Sequence, residues 1–144
     1  MIKNLKVNYS ENYNIEKKVI HKVVFLLKKD FNFAIRSFSI NLINSSEIKE
    51  ININYLNHHY TTDIITFNYS NDETLDGEIF ISVNDAEDNA SKYKVSLIKE
   101  IVRLTIHGFL HLLGYDDMNK KDKTRMKKME NDCLDRYCKI LKIK

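Results

Sequence analysis

The sequence predicts an α+β fold: a single domain with an about four-stranded mixed sheet and about five helices, and a metal site on a central helix and the turn after it. Three observations carry this. In the first 83 residues, short apolar runs alternating at a period of two are interleaved with segments of helical period. From Asp85 the character is helical to the end. Finally, 144 residues of which 43% are apolar close one core and leave no room for a second domain of ordinary size. No repeat, linker or low-complexity segment proposes a boundary, so residues 1–144 are read as one domain.

Taken in order, Leu5, Val7 and Tyr9 alternate as in a strand, and Ile15, Val19, Val23, Leu26 and Leu27 then recur at helical spacing. Phe38, Ile40 and Leu42 make a second strand. A short helix follows from about Ser46, whose hydroxyl can cap it, through Ile48, Ile51 and Tyr55. Residues 64–69 and 79–83 read as two further strands, joined as a hairpin by the polar loop 70–77. One helix then runs from Asp85 to about Tyr93 and another from Ser96 to Leu113. The last begins at about Lys121, with Met126, Met129, Cys133, Tyr137 and Ile140 on one stripe that reads as core. Leu97, Ile101, Leu104, Phe109 and Leu112 predict that the helix of residues 96–113 is central and mostly buried.

That helix carries the chemistry. Residues 107–117 read His-Gly-Phe-Leu-His-Leu-Leu-Gly-Tyr-Asp-Asp. Two helical histidines four apart lie ~6 Å apart along the axis and about 40° around it, so both imidazoles can reach one ion. Gly114 stands where a left-handed cap would end the helix and turn the chain back, bringing Asp117 in as a third ligand. Three protein ligands with an open position characterise a catalytic zinc, whereas a structural zinc is closed by four. The bland alternative makes His107 and His111 ordinary helix residues and Asp117 a turn carboxylate.

Two of the three glycines in the chain, Gly108 and Gly114, fall in this stretch. Glycine inside a helix costs about 1 kcal/mol relative to alanine. At Gly108, either a neighbouring element packs hard against the helix or substrate approaches the metal across it. The same position holds the general-base glutamate in His-Glu-x-x-His metalloproteases. The frame is close to a metzincin, but the base is missing, which disfavours peptide hydrolysis by that route.

The stretch resembles the signature of the YbeY family, bacterial metal-dependent endoribonucleases of ribosomal RNA maturation. Thr62-Asp63-Ile64-Ile65-Thr66-Phe67 is similar to the family's Thr-Asp-Val-Leu-Ser-Phe strand, and Gly77-Glu78-Ile79 to its Gly-Asp-Ile. Glu100 stands seven residues before the first histidine, as the family's acid often does, and Met129-Glu130 resembles its Met-x-x-x-Glu region loosely. The resemblance runs from about Asn52 onward. It implies a single-strand-specific endoribonuclease acting in 16S rRNA 3′ end maturation and ribosome biogenesis. Single-stranded RNA, rRNA and the ribosome or its assembly factors would be its partners, and DNA would not. The ion is expected to be Zn²⁺, one per chain, on His107, His111 and Asp117. It would polarise a phosphate oxygen or lower the pKa of a bound water toward about 7.

Two departures stand out. The family's third ligand is usually histidine, and Asp117 replaces it with a carboxylate that zinc also accepts. The family commonly carries an arginine shortly before the Thr-Asp strand, where this chain has Leu56. His58 and His59 are candidates to replace that cation. So is Arg103, four residues before His107, against the alternative that it pairs with Glu100. Thr62, Asp63 and Gly108 are candidates for the substrate cleft. The rival readings are a peptidase of metzincin-like frame and a non-catalytic, metal-stabilised rRNA-binding assembly factor.

The net charge of +3 is too small to establish nucleic-acid binding. Lysines nevertheless cluster at Lys17 and Lys18, at Lys28 and Lys29, and in residues 120–128, where Arg125 joins them. The last cluster would follow an RNA backbone if it lies beside the metal cleft. No run approaches a membrane span and the N-terminus lacks a signal pattern, so a cytoplasmic protein is expected. Cys133 and Cys138, five apart on a helix, point to different faces and indicate neither a disulfide nor a shared metal, which fits a reducing compartment.

Overall fold

Alternating apolar residues give the chain its sheet, and a computed structural model describes it over residues 1–58, 62–116 and 118–144. Strand β1 (Leu5–Tyr9) buries Leu5 and Val7 and leads into helix α1 (Lys17–Phe31). Strand β2 (Ala34–Ile43) follows, then helix α2 (Ser45–Leu56), strand β3 (Ile64–Asn68) and strand β4 (Thr74–Ser82). Helices α3 (Val83–Tyr93), α4 (Leu97–Leu112) and α5 (Lys120–Leu141) complete the order. The sheet runs β1-β2-β4-β3. β1 and β4 are parallel to β2, and β3 is antiparallel to β4, so the sheet is mixed as expected.

A parallel pair such as β1 and β2 cannot be closed by a tight turn, and α1 is the crossover that joins them. The main core lies where α1 and α4 cover one face and α5 packs onto those two helices, with Ile20, Leu27, Ile40, Ile79, Ile81, Ile101 and Phe109 among its buried residues. On the other face α2 covers one end through Ile48, Ile43 and Ile65. The rest of that face is polar: Asn8 donates to Asn41 at 3.0 Å and Ser39 to Glu78 at 3.1 Å.

Several boundaries differ from the sequence expectation. β4 begins at Thr74 rather than Ile79, because Thr74 and Leu75 pair with Ala34 and Ile35 of β2. Those partners are remote in sequence, and the outward polar residues of the alternation hide the strand. α2 is capped by Asn44, not Ser46: the Asn44 side chain accepts from Glu47 N–H while the Glu47 carboxylate accepts from Asn44 N–H, a reciprocal capping box. Val83 opens α3 rather than closing β4, with Ser82 as its cap. Ile140 is 59% exposed; the α5 core stripe runs instead through Met126, Glu130, Cys133, Leu134, Tyr137 and Cys138.

Gly77 is required by close approach. A Cβ there would overlap the backbone carbonyl oxygen of Phe67 on the paired strand β3. Because the obstacle is backbone, the two strands must separate to admit a methyl group. Gly77→Ala is expected to cost about 3 kcal/mol, the upper part of the overpacking range, read as a lower urea midpoint.

Asp30 ties α1 to α5, accepting from the Tyr137 hydroxyl at 2.7 Å and pairing with Arg136 at 3.0 Å. Partial burial pushes its pKa up, but the hydrogen bonds from Tyr137 and Arg136 and the Arg136 charge outweigh this and hold it below the usual carboxylate value. A depressed folded-state pKa stabilises above the unfolded value and is lost as pH falls through the folded one. Urea titrations of the wild type and Asp30→Asn should therefore differ most near neutral pH, the gap shrinking below about pH 4.

Candidate metal centre and its buried ion pairs

Helix α4 is set by its two ends. Ser96 caps the start, accepting from Lys99 N–H. At the other end Tyr115 N–H donates to Leu110 C=O at 3.0 Å and Gly114 N–H to His111 C=O at 3.1 Å, with Gly114 at φ +104°. This is the Schellman stop that the glycine predicted, and it turns the chain immediately after His111.

Between these ends nine of the sixteen α4 residues are buried, as expected of a central helix. Phe109 is covered by Phe33 and Phe38, with ring centroids 5.7 and 4.8 Å away. A Cβ on Gly108 would stand 2.8 Å from Ile79 Cδ1 and 3.1 Å from Ile64 Cδ1. The missing side chain thus seats the helix on β3 and β4. Of the two explanations for Gly108, packing is the one observed: the residue is buried against the sheet rather than open to a cleft.

The helix surface left open is a single stripe. From Glu100 to Leu110 all residues are buried except Arg103 and His107, and the exposed His111 continues that line at four-residue spacing. Four residues is close to one turn, so both imidazoles project from the same side of α4. The expected third ligand, Asp117, lies outside the described residues. Among the described residues, no group of three or more histidine, cysteine, aspartate or glutamate side chains is arranged to hold a metal.

A chain of charged and polar side chains lies behind His107. Its Nδ1 is 2.6 Å from Glu130 Oε1, and Glu130 is 1% exposed. The other oxygen of Glu130 accepts from Arg103 at 3.0 Å and from Lys127 at 3.4 Å. Arg103 also forks onto Glu100, with bonds of 2.8 and 2.6 Å from Nε and Nη2. Asn89 Nδ2 reaches Glu100 at 3.3 Å and Asp63 at 3.2 Å. Asp63, Asn89, Glu100, Arg103, Glu130 and His107 are thereby linked across the approach to β3, α3, α4 and α5.

Burial pushes the Glu130 pKa up, but the His107 hydrogen bond and the Arg103 charge prevail and hold it below the ordinary glutamate value. Hydrogen bonds to Glu100 push the Arg103 pKa upward despite burial. Arg103, a candidate for phosphate contact, is thus committed: all three of its side-chain nitrogens bond to two buried carboxylates. The ion-pair alternative is what the structure forms. The sequence places Glu130 only in a loose family resemblance and assigns it no role. Its signal was a carboxylate at an apolar position of the α5 stripe, between Met126 and Cys133.

The other candidates separate into two places. Leu56, His58 and Thr62 line one cavity of about 260 Å³ with Asn52, Ile64, Ile65 and Thr66. Ile64 borders that cavity and also faces Gly108, so the cavity lies on the β3 side of α4. Asp63 belongs to the polar chain instead. His59 lies outside the described residues. Past the end of α4, a second cavity of about 260 Å³ is lined by Gly114, Tyr115, Asp116, Asp122 and Arg125. The Arg125 guanidinium lies 5.2 Å from the Tyr115 ring centroid, so one cation of the 120–128 cluster reaches the turn after His111.

Comparison with known proteins gives a consistent result. The family model described as Endoribonuclease YbeY matches residues 2–138. A Chlorobium phaeobacteroides protein named Endoribonuclease YbeY is 35% identical over 92% of this chain and 94% of its own length. One of the same name from Azobacteroides pseudotrichonymphae is 35% identical over 85% of this chain and 88% of its own. A Thermotoga maritima protein solved in solution shares the fold, with a TM-score of 0.69 at 23% identity over 96% of this chain and 91% of that one.

If Arg103 serves two buried carboxylates, removing its charge strands both. Arg103→Met should cost about 3–5 kcal/mol in urea unfolding, the range for breaking a buried pair. A guanidinium reserved for substrate would leave the midpoint nearly unchanged.

Proposed function

Because the chain belongs to the YbeY family, we propose that it is a zinc-dependent endoribonuclease that cleaves single-stranded RNA in 16S rRNA 3′ end maturation. Its setting would be ribosome biogenesis, with rRNA and the ribosome or its assembly factors as partners. The observation that carries the reading is the pair His107 and His111 on the one open stripe of a buried helix, in a chain matched by the family over residues 2–138.

The donors suit the metal. With Glu130 on Nδ1, His107 has Nε2 left as its metal donor, and His111 is exposed one turn on. Asp117 would complete two imidazoles and a carboxylate, a set that zinc accepts with a position open. When bound, zinc supplies Lewis acidity toward the phosphodiester and the attacking water. The protein's own residues hold and exclude. Glu130 fixes the His107 ring from behind. The cavity of Leu56, His58 and Thr62 offers a place beside β3 for part of the substrate, and Arg125 a cation for its backbone beyond α4. The loss of the family's arginine at Leu56 is offset on this reading by such cations rather than by Arg103.

A metzincin-like peptidase is disfavoured because position 108 has neither a side chain nor room for one. No described helix is long and apolar enough to cross a membrane, which is compatible with a cytoplasmic RNA substrate.

Purified protein should be assayed on labelled single-stranded RNA and on casein, each with and without chelator. RNA cleavage lost with chelator and reduced at least about 100-fold in His111→Ala is expected, with casein intact. Equimolar zinc in the wild type and none in His107→Ala should accompany it. RNA binding without turnover would favour the assembly-factor reading, and chelator-sensitive casein hydrolysis the peptidase.

A further inference from the structure

We propose that Glu130 is a positioning residue for the metal centre: it holds His107 in the tautomer protonated at Nδ1 and so aims Nε2 at the ion. The proposal rests on the zinc reading above.

The argument begins with hydrogen-bond capacity. An ionised carboxylate only accepts, so a neutral imidazole 2.6 Å from Glu130 Oε1 must carry its proton on Nδ1. The Nε2 lone pair is then the only one available to a metal. The division of labour within Glu130 points the same way. Oε2 alone meets the cations Arg103 and Lys127, while Oε1 is reserved for His107. A carboxylate present only to neutralise Arg103 would have no need to turn an oxygen toward the imidazole.

Glu130 is well held for the task. It is 1% exposed, so bulk water does not compete strongly for the His107 bond. Arg103 fixes it from one side and is itself forked onto Glu100, which is 2% exposed. Glu100, Arg103 and His107 sit on α4 and Glu130 on α5, so the bridge also sets how α5 lies against the ligand stripe. Two buried carboxylates face one largely buried guanidinium, with Lys127 reaching Glu130 from the solvent side. Carboxylates bonded to the far nitrogen of a metal-binding histidine commonly orient the ring and raise its basicity, and losing one typically costs 10–100-fold in metal affinity.

The test uses the full chain. Zinc affinity is measured by competition with a chromophoric chelator for the wild type and Glu130→Gln, with urea midpoints taken in chelator to establish folding. Long-range proton–nitrogen spectra of ¹⁵N-labelled, metal-free protein read the His107 tautomer directly. The expected result is an Nδ1-protonated ring in the wild type, with zinc affinity weakened about 10–100-fold and the tautomer mixed in folded Glu130→Gln. A merely structural Glu130 would lower the urea midpoint without moving either quantity in the folded variant, and that result overturns the proposal. If the variant does not fold, the wild-type spectrum still decides, because an Nε2-protonated His107 overturns the proposal unaided. A wild type that takes up no zinc instead overturns the zinc reading, and this positioning role with it.

Discussion

Helix α4 lies so close to the sheet that the side-chain ends of Ile79 and Ile64 occupy the approach to Gly108 where any other residue would carry its Cβ. Much of the architecture depends on this contact. It lets Ile101, Leu104, Ile106 and Phe109 sink into the core, and it rotates the helix so that only the line of Arg103, His107 and His111 stays open. The Schellman stop at Gly114 then returns the chain at the end of that line. A helix with one accessible stripe presents its histidines in one direction, with little freedom to present them in another.

The same depth creates an electrostatic problem. Glu100 and Glu130 are almost wholly buried, and Arg103 is 20% exposed at its side chain. Burying charge costs several kcal/mol per ion before pairing, and an apolar replacement of similar shape is often as stable. Stability alone is therefore a weak reason for such a cluster. What it does supply is geometry: α4 and α5 are bridged by Arg103 to Glu130, α3 joins through Asn89 to Glu100, and Asn89 also reaches Asp63 beside β3. A carboxylate whose oxygens are divided between a guanidinium and an imidazole has little rotational freedom, and the ring bonded to it shares that constraint.

The parts of this arrangement that the sequence displayed are those set by local spacing. His107 and His111 at helical separation, Gly114 three residues on, and the periods of β1, α1, β2 and α4 are all properties of neighbours along the chain. What it concealed depends on remote partners. Thr74 and Leu75 are strand because Ala34 and Ile35 lie beside them. Arg103 was open to two readings, since nothing local tells whether a guanidinium on an exposed line turns outward to a phosphate or inward to two acids. Glu130 stands in the sequence only as part of a loose resemblance, although its place between Met126 and Cys133 puts it on the buried face. Asn44 is a different case: its bond with Glu47 is local, but a serine hydroxyl such as that of Ser46 is an equally good cap in isolation, and only the reciprocal Glu47 bond distinguishes the two.

Gly108 brings the packing and the chemistry together. At this position a metalloprotease keeps its general base, pointing at the metal from the residue after the first histidine. Here the corresponding direction is filled by two isoleucine side chains of the sheet, one of them fully buried. A carboxylate inserted there would have to displace them and lose its water with no cation in place to compensate. The absence of the base is therefore not a single missing group that a substitution could restore, because it follows from how α4 is seated. The open side of α4 points away from those isoleucines, and past its end the turn of Tyr115 meets Arg125 of α5, so that is where the fold leaves access.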